Sequence, residues 1–402
     1  CVFFLVFWAV ISGTNYFIDP ANIFHNSIVE HMTEILVDGK TIEVTGEFDE
    51  GLFQEKMLSA IRYSPETIII GSSHIMYEEW EFDNYYIAGL SGAYLGDYYA
   101  IVGLLDKNNI APKTILIGVD PWSFMTGADS GRHLSVKNYA KYAKMLVEGR
   151  EYIPDTTSHG VDLEKVKELF RFAYFQSSVD AIQKYGISKY IHRYEEQILV
   201  SQNDDMDINA KITPNGRRIR SFNTVNDVEV NNLAAADVID NRNIYQLGAG
   251  FSEIQYENLE EFEELIEYLQ AKDIEIIFYL HSWYPTVYEF FKKDEAYSGV
   301  IKLETYIRKM AVKRNIIVHG SYDPGLASIT EEDFEKESNF LYLKEAGKRK
   351  ILMEYDKRLE STISHKELGR DVSYRYLIRL ECYKLIKHII GEKEYFGFKI
   401  WW

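Results

Sequence analysis

Three residues with side chains suited to hydrolytic chemistry each follow a short apolar run. Ser73 lies in a Gly-Ser-Ser-His turn, Asp120 lies in a Gly-Val-Asp-Pro turn, and His281 opens a His-Ser-Trp-Tyr-Pro turn. A serine hydroxyl is an effective nucleophile only when a base accepts its proton, and an imidazole or a carboxylate can serve as that base. The ordinary alternatives are a helix N-cap for Ser73, a capped turn for Asp120 and a structural role for His281.

A glycine-containing loop follows Ser73 in the chain. Gly92 lies in the sequence Ile-Ala-Gly-Leu-Ser-Gly-Ala over residues 87–93. Its backbone N–H, together with that of Ser73, could form an oxyanion hole, because such N–H groups stabilise the negative charge that develops on a carbonyl oxygen. The alternative is a tight turn that needs a positive φ angle.

Ser73, Asp120 and His281 would lie at the same edge of a β-sheet if the apolar runs before them are parallel strands. Each run is β-branched or aromatic and is bounded by polar residues or glycine, which is typical of strands covered on both faces. Amphipathic helices over 259–272 and 301–314 precede the later runs, and this alternation predicts a doubly wound α/β domain that binds ligands at the carboxyl ends of its strands. The predicted strands are 67–70, 114–117, 274–280 and 315–318.

The remaining segments flank or interrupt this domain. Residues 131–250 are rich in polar residues and short amphipathic pieces, and we expect a long, mostly helical insertion there. Residues 353–402 read as a helical tail. The apolar residues 1–11 are fewer than the roughly 20 that span a bilayer. They favour the distal part of a membrane anchor over 1–14, with the main domain over 15–352; a buried strand or core helix is the alternative.

Composition limits the possible partners. The chain has 402 residues with 44 Lys and Arg against 62 Asp and Glu, so its net charge is −18. We therefore expect no nucleic-acid partner, since phosphate binding needs clustered cations. The run Arg217-Arg218-Ile219-Arg220 is expected to be a solvated loop, with an anion-binding site as the alternative. The two cysteines lie far apart in the sequence without metal-ligand spacing, and no metal or other cofactor is predicted.

The order of these motifs resembles a known family. Gly-x-Ser, a Ser-Gly loop and Gly-x-Asp-Pro are followed by Gly-Ser-Tyr-Asp-Pro at 320–324 and by the segment 329–334. This order is similar to the membrane-anchored branch of the SGNH hydrolase-like superfamily, with its SGNH/flavodoxin-like sheet. The resemblance implies an extracytoplasmic protein, anchored in the cell membrane, that acts in acylation or deacylation of a cell-surface polysaccharide. It implies a glycan and a membrane-bound acyltransferase as partners.

The resemblance assigns roles to individual residues. Ser73 falls on the nucleophile, Gly92 on the oxyanion glycine and Asp120 on an oxyanion asparagine, while Asn339 and Tyr342 fall on the aspartate and histidine of the triad. Because a tyrosine with a pKa near 10 is a poor base, we expect an impaired serine esterase or O-acyltransferase, with His281 as a substitute base. His74 is expected to point away from Ser73. The alternatives are a non-catalytic glycan-binding or scaffold protein and a cytoplasmic α/β protein without a known role.

Overall fold

The computed structural model describes residues 2–20, 24–25, 27–44, 48–127, 133–150, 163–191, 198–201, 210–219, 228–334 and 343. The strands in this part of the chain are β1 Ile42–Val44, β2 Thr67–Gly71, β3 Tyr85–Gly89, β4 Thr114–Gly118, β5 Ile198–Val200, β6 Ala210–Ile212, β7 Arg218–Ile219, β8 Glu275–Leu280 and β9 Ile317–Gly320.

Helices alternate with these strands. They are α1 Val2–Ile18, α2 Ser27–Val37, α3 Glu50–Ala60, α4 Ser73–Met76, α5 Leu95–Lys107, α6 Lys137–Val147, α7 Leu163–Leu169, α8 Phe172–Tyr185, α9 Ser188–Ile191, α10 Val228–Asp240, α11 Tyr256–Ala271, α12 Pro285–Lys293 and α13 Ser298–Arg314. Short 3-10 helices span Pro121–Phe124, Leu134–Val136, Glu295–Tyr297 and Glu331–Asp333.

A five-stranded parallel sheet lies at the centre of the fold. Its order is β3-β2-β4-β8-β9, which is 2-1-3-4-5 when its strands are numbered along the chain. The order therefore reverses between β2 and β4. The apolar residues of these two strands are fully buried, as the predicted strands 67–70 and 114–117 require. The prediction of an α/β domain with a parallel sheet is confirmed.

Three glycines at the strand ends make room for the short helix α4. Gly71, Gly89 and Gly118 are the last residues of β2, β3 and β4. A Cβ on Gly118 would lie 2.7 Å from Cγ2 of Ile75, and a Cβ on Gly89 would lie 2.7 Å from Cγ of Met76. The side chains of α4 therefore occupy the space that these glycines leave open, and α4 lies directly on the strand ends.

A second, smaller sheet lies partly in the predicted insertion. It is antiparallel, with the order β5-β1-β6-β7. The segment 131–250 was predicted to be mostly helical, yet β5, β6 and β7 lie in it. They are two or three residues long, which is too short to give an apolar run in the sequence. The segment is thus not wholly helical.

Helix α1 packs against the helices of the same segment. The Asn15 amide nitrogen lies 3.2 Å from the Glu168 carbonyl oxygen, 2.9 Å from that of Leu169 and 3.2 Å from that of Arg171, at the corner where α7 ends and α8 begins. Buried Asp19, after α1, accepts a hydrogen bond of 2.6 Å from the Tyr174 hydroxyl in α8. None of the helices in the described ranges is both long and apolar enough to cross a bilayer.

Candidate functional site

The three residues singled out from the sequence follow adjacent strands of the parallel sheet. Ser73 is the first residue of α4 after β2, Asp120 precedes the 3-10 helix after β4, and His281 directly follows β8. Parallel strands place their carboxyl ends at one edge, and all three side chains are buried there. The strand order reverses between β2 and β4, and open α/β sheets generally bind ligands at the carboxyl ends of strands beside such a reversal.

Asp120 pairs with a histidine that the sequence analysis set aside. Its Oδ1 lies 2.9 Å from Nδ1 of His74, and both side chains are buried. A carboxylate accepts hydrogen bonds, so Nδ1 carries the imidazole proton and Nε2 is the nitrogen that can exchange one. The sequence signal that could have pointed to His74 was the Ser-Ser-His order. Ser72 is the N-cap of α4, and its hydroxyl accepts a hydrogen bond from the His74 N–H at 3.2 Å, which fixes His74 at the start of this helix.

His281 stacks on His74. The ring centroids lie 4.1 Å apart and the planes are inclined by 10°. His281 Nδ1 lies 3.2 Å from the hydroxyl of Tyr279 in β8. The two imidazoles therefore lie face to face within the buried site.

Aromatic side chains surround this pair of imidazoles. The ring of Trp122 lies 5.5 Å from that of His74, and its Nε1 donates to the Ala93 carbonyl oxygen at 2.8 Å. Burial, with the negative charges of Glu78 and Asp120, raises the pKa of Tyr279 well above its ordinary value. The Tyr279 phenol therefore remains protonated at neutral pH and can donate to His281.

The second oxygen of Asp120 is buried and has no hydrogen-bond partner among the described residues. Two phenols are near, but they donate elsewhere: Tyr98 to the Gly118 carbonyl oxygen and Tyr322 to that of Val119, each at 2.7 Å. Burial and the charge of Asp120 raise the pKa of both phenols. Asp120 thus accepts from His74 alone among these neighbours, which leaves hydrogen-bonding capacity at the site.

Fewer contacts support the predicted roles of Ser73 as nucleophile and Gly92 as oxyanion donor than support the pairing of Asp120 with His74. None of the described residues forms a hydrogen bond with the Ser73 hydroxyl. Gly92 has a φ angle of +61°, so the turn interpretation accounts for this glycine. Asn339 and Tyr342 lie outside the described residues. The catalytic roles of Ser73, His281 and Gly92 stay predictions.

A second buried charged cluster lies beside the Gly92 loop. Glu50 accepts hydrogen bonds from the Ser91 N–H at 2.5 Å and the Ser91 hydroxyl at 2.7 Å, and it lies 2.7 Å from Arg218 Nη1. Burial alone would raise the pKa of Glu50, but Arg218, the Ser91 hydrogen bonds and His133 together lower it. Arg218, which lies in β7, therefore pairs with the Glu50 carboxylate of α3. The prediction that this run is a solvated loop is wrong at Arg218.

No metal centre is evident in the part of the chain that is described. Within those ranges, no group of three or more His, Cys, Asp and Glu side chains is placed to hold an ion.

Comparison with known proteins gives similarity over a short part of the chain. A stretch of 71 residues is 54% identical to CRISPR-associated endonuclease Cas1 3 of Thermodesulfovibrio yellowstonii, and 74 residues are 53% identical to CRISPR-associated endonuclease Cas1 of Fusobacterium nucleatum. A 74-residue stretch is 57% identical to CRISPR-associated protein Cas1 1 of Methanobrevibacter ruminantium. Each match covers 18% of this chain, and the chain spans about a fifth of the length of these relatives (22%, 22% and 23%). No family model and no solved structure matches the chain.

These relatives correct several predictions. They are named Cas1 proteins, so the resemblance to the SGNH hydrolase-like superfamily is wrong, as is the role in polysaccharide acylation that rested on it. The glycan, membrane and acyltransferase partners are overturned by the same finding. So is the location in the cell membrane. The alternative of an α/β protein without a membrane link fits the findings better.

The exclusion of nucleic acid is also wrong, and the charge distribution explains the error. Residues 1–343 contain 30 Lys and Arg against 53 Asp and Glu, a net charge of 30 − 53 = −23. Residues 344–402 contain 14 against 9, a net charge of 14 − 9 = +5. The overall value of −18 therefore hides a basic segment, because it averages two unlike parts of the chain.

Proposed function

We propose that this chain is a CRISPR-associated protein that binds nucleic acid. The observation that carries the proposal is the 54% identity over 71 residues to a CRISPR-associated endonuclease Cas1. Because the chain spans about a fifth of that relative, the proposal concerns binding and does not extend to cleavage.

The charge distribution supports the basic segment 344–402 as the part that contacts phosphates. Lys and Arg side chains bind a nucleic acid by displacing its condensed counterions, which makes the affinity depend strongly on salt. The net charge of −23 on residues 1–343 opposes such contacts elsewhere. The run Lys348-Arg349-Lys350 is the densest group of cations in the segment.

Fluorescence anisotropy of the full chain with a labelled DNA oligonucleotide tests this proposal. Replacing Lys348, Arg349 and Lys350 with Gln is expected to weaken binding and to lower the slope of log K against log salt by about 0.7 to 0.9 for each lost phosphate contact. The matched control replaces three exposed cations of the acidic part, Lys137, Lys141 and Lys293, with Gln and is expected to leave affinity unchanged. Absence of saturable binding by the unaltered chain would overturn the proposal.

We also propose an acid–base site in the α/β domain, formed by Asp120, His74 and His281. Two observations support it: the 2.9 Å contact that orients His74 and the position beside the reversal of strand order. The 2-1-3-4-5 order supports a doubly wound, flavodoxin-like arrangement, in which ligands bind at this reversal. Ser73 is the candidate nucleophile, and the backbone N–H groups of Ser73 and Gly92 are candidate oxyanion donors.

Covalent labelling by a fluorophosphonate probe tests the role of Ser73. In this reaction the serine oxygen bonds to phosphorus, fluoride leaves, and the base takes the hydroxyl proton. We expect labelling that Ser73→Ala abolishes. Loss of labelling in His281→Gln alone would make His281 the base, whereas loss in His74→Gln and Asp120→Asn would assign that role to the imidazole that Asp120 orients. An unlabelled wild-type chain would remove Ser73 from the site.

A further inference from the structure

The side chains of the proposed acid–base site are buried, although a substrate has to reach them. His74, Asp120 and His281 are 5%, 3% and 6% exposed. The loop over residues 241–250, between α10 and α11, lies against this site. Its Tyr245 ring is partly exposed, and the ring centroid lies 6.4 Å from that of His74. Tyr245 therefore lies at the boundary between the buried imidazole and the surface of the molecule.

Packing against aromatic rings holds Tyr245 in this position. Its ring centroid lies 5.5 Å from that of Trp122, with the planes inclined by 86°, and the Trp122 ring lies 5.5 Å from the His74 ring. None of the described residues forms a hydrogen bond with the Tyr245 hydroxyl. Aromatic contacts of this kind are individually weak, so the ring can leave its position without breaking a hydrogen bond.

Tyr245 and Gln246 form the tip of a turn that is fixed on both sides. Ile244 and Leu247, which flank the tip, are buried. Gln246 has a φ angle of +56°, in the left-handed region that residues other than glycine rarely adopt. Its Oε1 accepts a hydrogen bond of 3.1 Å from the Tyr94 hydroxyl. Because an unfavourable backbone conformation persists only while neighbouring contacts hold it, Tyr94 keeps the tip in place, and movement of the tip carries Tyr245 with it.

From these contacts we infer that Tyr245 controls the entry of a substrate to the acid–base site. The inference rests on the proposed site of Asp120, His74 and His281. With the Tyr245 ring in its observed position the stacked imidazoles are closed, and a substrate reaches them when the tip over 245–246 moves. Short surface segments of this kind open locally, without unfolding of the core.

Modification by diethyl pyrocarbonate measures access to each histidine of the full chain. An unprotonated ring nitrogen bonds to a carbonyl carbon of the reagent, the bond from that carbon to the bridging oxygen breaks, and the departing ethyl carbonate takes up the proton that the ring releases. Mass spectrometry of peptides gives the rate at each site. We expect His74 and His281 to react at least about tenfold more slowly than His31, whose side chain is 43% exposed, because buried groups react through open forms alone. Rates as high as that of His31 would overturn the inference.

Two variants open the site in different ways. Tyr245→Ala removes the ring and is expected to speed the modification of His74 and His281 about 5- to 150-fold, the effect of losing two aromatic contacts. Tyr94→Phe keeps the Tyr245 ring but removes the hydroxyl that holds Gln246, and we expect an increase of about 2- to 10-fold. Tyr245→Phe is the matched control. It retains the ring and loses only a hydroxyl that has no partner among the described residues, so its rates should equal those of the wild type.

His133 shows whether a variant loosens the fold as a whole. This histidine is buried, its Nε2 lies 3.0 Å from the Ser91 carbonyl oxygen, and its rate should stay at the wild-type value in each variant. Unchanged rates at His74 in both Tyr245→Ala and Tyr94→Phe would overturn the inference, as would increases of equal size at His133 in both. The reagent requires no nucleophilic serine, so a chain that the fluorophosphonate probe leaves unlabelled still tests the control of access by Tyr245.

Discussion

Two buried carboxylates of the α/β domain, Glu50 and Asp120, have different surroundings. Glu50 is bound by Arg218 and by the hydroxyl and N–H of Ser91, so both of its oxygens have partners. Asp120 has His74 at one oxygen and no partner among the described residues at the other. A fully paired buried charge holds elements together, whereas an incompletely paired one retains capacity for a ligand or a proton.

The positions of the two carboxylates agree with this difference. Glu50 opens α3 and joins it to β7 and to the loop after β3, so it ties the small sheet to the large one. Asp120 lies at the carboxyl edge of the sheet and contacts His74, one of the two stacked imidazoles. We therefore interpret the Glu50 cluster as structural and the Asp120 cluster as the candidate site.

The largest expected effect comes from removing the cation beside Glu50. Arg218→Met leaves a buried carboxylate without its partner and is expected to lower the free energy of unfolding by about 3–5 kcal/mol. The neighbouring Arg217 lies 3.5 Å from the exposed Glu79, so Arg217→Met should cost less than about 1 kcal/mol. Chemical denaturation of both variants measures the difference. Equal losses of unfolding free energy in the two variants would mean that the buried Arg218–Glu50 pair contributes no more to stability than the exposed Arg217–Glu79 pair.

Acid should weaken the same cluster. Because the folded-state pKa of Glu50 lies below its unfolded value of about 4.3, its ionisation stabilises the fold above that pH, and the contribution is lost as pH falls through the lower, folded value. We expect stability between pH 5 and pH 3 to fall more steeply in the wild type than in Glu50→Gln. Parallel curves from urea denaturation at each pH would contradict this assignment.

An added methyl group should affect the candidate site without touching Glu50. Gly118→Ala places a Cβ 2.7 Å from Cγ2 of Ile75 in α4, and we expect a loss of about 1–3 kcal/mol as α4 is displaced. Gly13→Ala is the matched control, since nothing lies within 4 Å of the added atom. Thermal unfolding of both variants gives the comparison. An unchanged midpoint for Gly118→Ala would show that α4 adjusts without cost.

The smallest expected change in stability comes from Asp120→Asn, and it tests the difference between Asp120 and Glu50 most directly. Asp120→Asn keeps the shape and an acceptor for His74 while removing a charge whose second oxygen lacks a partner, so we expect a change within about 1 kcal/mol. Glu50→Gln, the equivalent change in the paired cluster, should cost about 3–5 kcal/mol. Denaturation of the two variants side by side measures this, and similar losses would remove the distinction between the two carboxylates.

The parallel sheet was predictable where its strands are continuous aliphatic runs. Strands β2, β4 and β8 were found because most of each is an unbroken apolar or aromatic run, over 68–70, 115–117 and 276–280. Strand β3 was missed because only Ile87 and Ala88 form its aliphatic part, beside two tyrosines. The short antiparallel strands depend on pairing between distant segments, which no local pattern reveals.

The sequence predicted where the candidate site lies but not that Asp120 pairs with His74. Strand order placed Ser73, Asp120 and His281 at one edge, since each follows a strand. The contact between Asp120 and His74 depends on how α4 lies on the glycine strand ends, and a turn sequence does not specify that orientation. Net charge misled about partners because a sum over the whole chain conceals a local change of sign.

Asn15 in α1 forms hydrogen bonds at the junction of α7 and α8, more than 150 residues further along the chain. Residues 163–175 belong to the short amphipathic pieces of the predicted insertion, and α7 and α8 separate there, where the amide of Asn15 reaches three backbone carbonyls. The Glu168 carbonyl oxygen also accepts from the Arg171 N–H at 3.2 Å, and the Arg171 carbonyl oxygen accepts from the Phe175 N–H at 3.1 Å. Asn15 therefore adds a distant hydrogen-bond donor to the junction of α7 and α8, and hydrogen exchange at 168–175 would report on the docking of α1.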